Sequence, residues 1–119
     1  MKRLIFVGIN PSGAPFRKGC AIHRLHNWAT ELGHYFYSFS NVIPYEGEYK
    51  IKDVDPDFVK KFCEGYDKVV ALGGFASKAL SKAGVEHYTL PHPSPLNRLL
   101  NDKEYEKRCV QGCKEWLTA

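Results

Sequence analysis

The stretch KVVALGGFASKALSKAGVEHYTL, Lys68 to Leu90, decides the fold. Lys68 to Gly74 is a β-branched apolar run closed by a glycine pair. FASKALSKAG is a short helical segment, and Glu86 to Leu90 is a second strand that runs into prolines. Apolar runs bounded by glycine and proline are strand signals. A strand, a helix and another strand in 23 residues form the repeating unit of a parallel sheet.

The same unit extends outward. Upstream, Arg3 to Ile9 (RLIFVGI) and Tyr35 to Ile43 (YFYSFSNVI) read as two further strands, each ending at or near a proline. Between them, AIHRLHNWATELG places Ile22, Leu25, Trp28, Ala29 and Leu32 on one helical face, with Gly33 as the residue after the cap. DPDFVKKFCEG opens with an Asp cap and a proline in the first helical position, and Gly65 follows its end. NDKEYEKRCVQGCKEWL is the last helix, with Tyr105, Cys109 or Cys113, and Trp116 toward the core. The order β-α-β-α-β-α-β-α predicts a three-layer α/β/α fold with a four-stranded parallel sheet, one domain over residues 1–119. Pro44 to Asp53 is the longest loop.

Bulk properties exclude some classes. Apolar residues make up 44% and charged residues 25% of the chain, ordinary for a globular protein. No apolar run approaches the roughly 18 residues of a membrane span. The basic start MKRLIFVGIN lacks a long apolar segment and a small-residue cleavage site, so it reads as a first strand and not a signal peptide. The net charge of +4 is compatible with a nucleic-acid partner but does not demand one. Cys20, Cys63, Cys109 and Cys113 form no CxxC pair and read as reduced thiols of an intracellular, non-secreted protein without a metal or cofactor. His23 and His26, three apart, read as a solvated or partly buried helix face.

In a parallel sheet, sites form at the carboxyl ends of strands. Four polar or proline-rich pieces fall there: NPSG after the first strand, NVIPYEG after the second, GG after the third and HPSPLNR after the fourth. Asn10 can orient a water or a substrate amide. Asn41 carries a donor and an acceptor and can read an amide edge such as that of a base. His92 can donate to a developing oxyanion. No carboxylate stands among these positions, so the set suits a reaction with a good leaving group assisted mainly by electrostatics. Each residue also has a purely structural reading. Asn10 can be a turn residue, Asn41 a strand-end cap and Ser94 a helix cap, and Leu96 can be the first core residue of the last helix.

With these motifs in order, the chain resembles the uracil-DNA glycosylase superfamily. GINPSG (Gly8 to Gly13) matches that family's G-x-[DN]-P motif, HPSPLNR (His92 to Arg98) its His-Pro-Ser motif, and Asn41 the asparagine that ends its second strand. The Asn10, Asn41 and His92 set is most similar to the single-strand-selective branch. The run into the last helix is also similar to the mismatch-specific branch. The resemblance implies a monofunctional enzyme that hydrolyses the N-glycosidic bond of uracil or a related altered base in DNA, acting as a monomer. Asn10 would position water, Asn41 would read the base and His92 would stabilise the anionic leaving base. Gly8, Ile9 and Ser12 would line the base site, and Phe16 would stack on the base. Leu96, presented beside Pro95, would enter the duplex where the base is flipped out. Ser94, Arg98, Arg17 and Lys18 would contact phosphates.

Three departures stand beside these matches. Ser12 occupies the position where strict uracil enzymes carry an aromatic against the thymine methyl. Phe16 follows the first motif more closely than the family's stacking aromatic does. The chain is also shorter than typical members. An inactive DNA- or protein-binding module of the same fold is the alternative. A small enzyme acting on free nucleosides is a third option, though GINPSGAP lacks the spacing of a P-loop.

Overall fold

The computed structural model describes residues 3–11 and 20–119. Four strands, β1 (Leu4–Gly8), β2 (Ser38–Asn41), β3 (Lys68–Leu72) and β4 (Tyr88–Leu90), form one all-parallel sheet in the order β2-β1-β3-β4. Four helices alternate with them: α1 (Ala21–Glu31), α2 (Pro56–Cys63), α3 (Gly74–Lys82) and α4 (Lys103–Thr118). The three-layer α/β/α expectation holds.

The layers follow from the period-two alternation of the central strands. Leu4, Phe6, Val70 and Leu72 point to one face, where Leu25, Trp28 and Ala29 of α1 and Val110, Cys113 and Leu117 of α4 cover them. Ile5, Val7, Val69 and Ala71 point to the other, under Val59 and Cys63 of α2 and Ala76, Ala79 and Leu80 of α3. The indole N–H of Trp28 donates to Glu106 Oε2 at 2.9 Å and ties α1 to α4.

Helix boundaries follow cap chemistry. Asp55 accepts from the amides of Asp57 and Phe58, with Pro56 in the first helical position. Asp102 caps α4 in the same way through Glu104 and Tyr105. Gly33 ends α1 at φ +79°, with its N–H on Thr30 O and the N–H of His34 on Ala29 O. That pair of bonds is the Schellman arrangement.

Some expectations need correction. The second strand is shorter than the predicted Tyr35–Ile43, because Tyr35 to Tyr37 belong to the turn that leads in from α1. Tyr37 sets its ring edge-on to Phe6 at 5.3 Å, so this residue covers the sheet without extending it. The last helix begins at Lys103, and residues Arg98–Asn101 form a separate 3-10 turn. Ser94 caps no helix; Asn97 caps the 3-10 turn and Asp102 caps α4. Ile22 is not core: it is 48% exposed, on the side of α1 near the strand ends. Among the described residues, no helix is long and apolar enough to cross a membrane.

Candidate active site

The sheet register builds the site. Gly8 stands opposite Asn41 on β2, and Phe6 opposite Phe39. Phe39 and Asn41 are two apart and share a face. Gly8 has no side chain, and a Cβ there would meet Asn41 Oδ1 at 2.8 Å and Phe39 Cζ at 2.9 Å. Glycine at the end of β1 therefore leaves room for these two side chains to lean over its backbone.

The space above Gly8 is a cavity of about 260 Å³, lined by Ile9, Asn10, Phe39, Asn41 and His92 and walled by α1 through Ala21, Ile22 and Leu25. That volume falls just below the range for drug-sized ligands, about 300–1,000 Å³, and suits a single flat ring. Asn10, Asn41 and His92, drawn from positions far apart in sequence, thus meet around one cavity. Among the described residues, no acidic side chain lines it.

Each polar group has a defined state. Main-chain bonds from Val42 N–H to Gly8 O and from Ile43 N–H to Ile9 O continue the pairing past β2 and bring Asn10 beside the loop that follows. The Asn10 amide nitrogen donates to the carbonyls of Tyr45, at 3.3 Å, and Gly47, at 3.1 Å. Both amide protons are committed, and Oδ1 accepts from no described residue. Asn10 is thus also a loop fastener, as its turn reading suggested. The Asn41 amide makes no hydrogen bond to a described residue and keeps its donor and its acceptor for a ligand.

His92 is half-buried. Its Nδ1 accepts the backbone N–H of Ser94 at 3.1 Å, which leaves the ring proton on Nε2. Burial pushes its pKa below the ordinary histidine value, so the neutral donor form persists. The loop that holds it is tightly bonded. Asn97 Nδ2 donates to His92 O at 3.0 Å, the Leu96 amide donates to Ser94 Oγ at 3.1 Å, and the Asn97 amide donates to Ser94 O at 3.0 Å. Arg24 of α1 reaches the carbonyls of Pro93 and Ser94 at 3.4 and 3.3 Å, with Glu106 of α4 beside its Nε at 3.6 Å. Gly73, at φ +92° and ψ 172°, lets the end of β3 pass 3.1 Å from the His92 Cβ, measured from the position its own Cβ would take. That backbone region is open essentially to glycine alone.

The loop turns other residues outward. Leu96 is 88% exposed, which removes its reading as the first core residue of the last helix; the buried leucine of this segment is Leu100, in the 3-10 turn before α4. Pro95, Arg98 and Leu99 are also exposed. Leu96 and Leu99 therefore project two apolar side chains beside a guanidinium. Ser94 Oγ accepts from Leu96, so its hydroxyl proton is available to an acceptor such as a phosphate. Ser12, Phe16, Arg17 and Lys18 lie outside the described residues.

Phe39 was not singled out from sequence, although it stands two residues before Asn41 on the same face. That spacing was the signal that could have found it. Arg24 gave no signal, because a lone arginine on a helix reads as a solvated charge. Among the described residues, no group of three or more His, Cys, Asp or Glu side chains gathers that could hold a metal ion. A scan against protein-family models and a search of curated proteins both return no match to this chain.

Proposed function

We propose that the chain is a monofunctional DNA glycosylase that hydrolyses the N-glycosidic bond of uracil or a related altered base. The observation that carries this reading is the meeting of Asn10, Asn41 and a neutral, Nε2-protonated His92 around one small cavity at the carboxyl ends of the strands. A flipped base occupies the cavity. Its amide edge pairs with the free donor and acceptor of Asn41, and its face lies against Phe39. Asn10 Oδ1 accepts a hydrogen bond from the water that attacks the sugar C1′. The C1′–N bond breaks with its electron pair on the base, which leaves as an anion whose oxygen accepts from His92 Nε2–H; the proton lost by the attacking water passes to solvent or to the departed base. A neutral donor placed where negative charge develops favours the departing state over the bound substrate. Leu96 fills the duplex space of the extruded base, and Ser94 and Arg98 hold flanking phosphates.

Uracil-containing single- and double-stranded oligonucleotides, incubated with the protein and treated with alkali, test the reading. Strand scission at the uracil is expected, with His92→Ala reducing turnover far more than DNA affinity. Absence of scission with uracil, hypoxanthine, xanthine and oxidised pyrimidines alike overturns it.

A second reading has one observation in its favour. Among the described residues the cavity has no acidic lining side chain, and the Asn10 amide protons are already taken by the loop. On that reading the same surface grips DNA without cleaving it. Steep salt dependence of binding without base release separates it from the enzyme.

A further inference from the structure

Ser77, His87 and Thr89 form a hydrogen-bonded array at the β4 edge of the sheet, separate from the cavity above Gly8. Ser77 lies on α3, Thr89 on β4, and His87 just before β4. His87 Nδ1 lies 2.8 Å from Val85 O, His87 Nε2 lies 2.7 Å from Ser77 Oγ, and Thr89 Oγ1 donates to Ser77 Oγ at 2.9 Å.

The direction of each bond follows from the first. A carbonyl oxygen only accepts, so His87 Nδ1 carries a proton. In the neutral ring, Nε2 is then an acceptor. Ser77 already accepts from Thr89, so its own proton goes to His87 Nε2. A mid-helix serine commonly turns its hydroxyl to solvent or back to the carbonyl four residues earlier. Here it points sideways to a base. A nucleophile within reach of a base, itself oriented by a third group, is the arrangement of an activated nucleophile. Ser77 and His87 are half-buried and Thr89 is exposed, so small reagents have access.

We infer that Ser77 is a nucleophilic serine that takes an acyl or phosphonyl group from activated esters, with His87 as its base. Ser77 Oγ bonds to the electrophilic carbon or phosphorus while its proton passes to His87 Nε2. The leaving group departs with its bonding electron pair. An alkoxide or phenolate then takes the proton from His87, and with a fluorophosphonate the products are fluoride and a proton released to solvent. No redox change and no further reactant are involved.

Incubation of the folded protein with a fluorophosphonate probe tests this, read by intact mass and peptide mapping. One adduct per chain on Ser77 is expected, absent in Ser77→Ala. His87→Gln keeps a polar partner for the hydroxyl but supplies no base, and should slow labelling at least tenfold. Thr89→Val provides a second variant should His87→Gln fail to give the wild-type circular dichroism spectrum; its labelling should also slow. No adduct on the native protein, an adduct confined to other residues, or labelling of Ser77 at an unchanged rate in folded His87→Gln would overturn the inference.

Discussion

Arg24 Nη1 on the first helix sits 3.3 Å from the carbonyl oxygen of Ser94, seventy residues later in the chain. This contact, with the one to Pro93, ties α1 to the loop that presents His92, and Glu106 Oε2 pairs with the guanidinium at Nε, 3.6 Å away. Arg24→Ala should therefore cost roughly 1.5–3 kcal/mol of stability, the range for hydrogen bonds to a charged group. On the proposed function it should also lower turnover by roughly ten- to a hundredfold through misplacement of His92. Lysine cannot form the same fork, so Arg24→Lys should recover stability better than turnover. Urea unfolding and single-turnover base release check the two effects separately.

Gly8→Ala should injure the site more than the fold. Its methyl group would press on Asn41 Oδ1 and the Phe39 ring, and both must move for it to fit. A cost of about 1–3 kcal/mol is expected from overpacking, with at least tenfold weaker base release. Thermal unfolding beside the oligonucleotide assay measures both.

Gly112 offers a test of packing away from the site. A Cβ there would lie 2.5 Å from Tyr88 Oη but 3.7 Å from Tyr88 Cζ. Gly112→Ala should destabilise the wild-type protein by about 1 kcal/mol, the clash outweighing the gain in helix propensity. In a Tyr88→Phe background the obstructing oxygen is gone, and the same substitution should stabilise by about 0.5–1 kcal/mol. A double-mutant cycle by chemical denaturation reads this reversal of sign.

His92 carries a pH signature. Its folded pKa is depressed by burial, so on acidification the unfolded chain takes up this proton first. The folded state therefore loses stability as pH falls from about 6.5, the unfolded histidine value, toward the lower folded value, and no loss from this group occurs above that window. His92→Gln should flatten that part of the stability profile. Urea midpoints at half-unit pH steps between 5 and 8 check it.

The thiols should divide into two classes. Burial pushes Cys63 up to about 11 and Cys113 up to about 12, so both remain protonated at neutral pH. Alkylation of the native protein at pH 8 should leave these two unmodified, and denaturant should expose all four cysteines. Mass spectrometry after iodoacetamide treatment counts them.

Strand and helix order was legible because glycine and proline punctuate every transition and the central strands are apolar on both faces. The second strand was overextended because Tyr35 to Tyr37 have strand composition; there the aromatic content serves cover in Tyr37 and leaves Phe36 99% exposed. Ile22 looked like core because helical spacing places it in line with Leu25 and Ala29, but the stripe runs past the sheet edge into the cavity wall. His92, Asn10 and Asn41 were legible because a strand-end rule locates polar residues without knowledge of side-chain contacts. Phe39 and Arg24 were missed because their surroundings depend on register and on a partner seventy residues away, which periodicity does not encode.

The strand order has a consequence for how the chain matures. β3 is central, yet its outer partner β4 and the loop after it are made last among the elements of the cavity. During synthesis from the amino end, β1, α1 and β2 emerge long before residue 92. Until β4 docks, β3 offers an unpaired edge, and Arg24 waits for the carbonyls of Pro93 and Ser94. A nascent chain halted before that loop lacks the His92 wall of the cavity. If the proposed function holds, base recognition and base release should thus appear together, late, as a single event in folding.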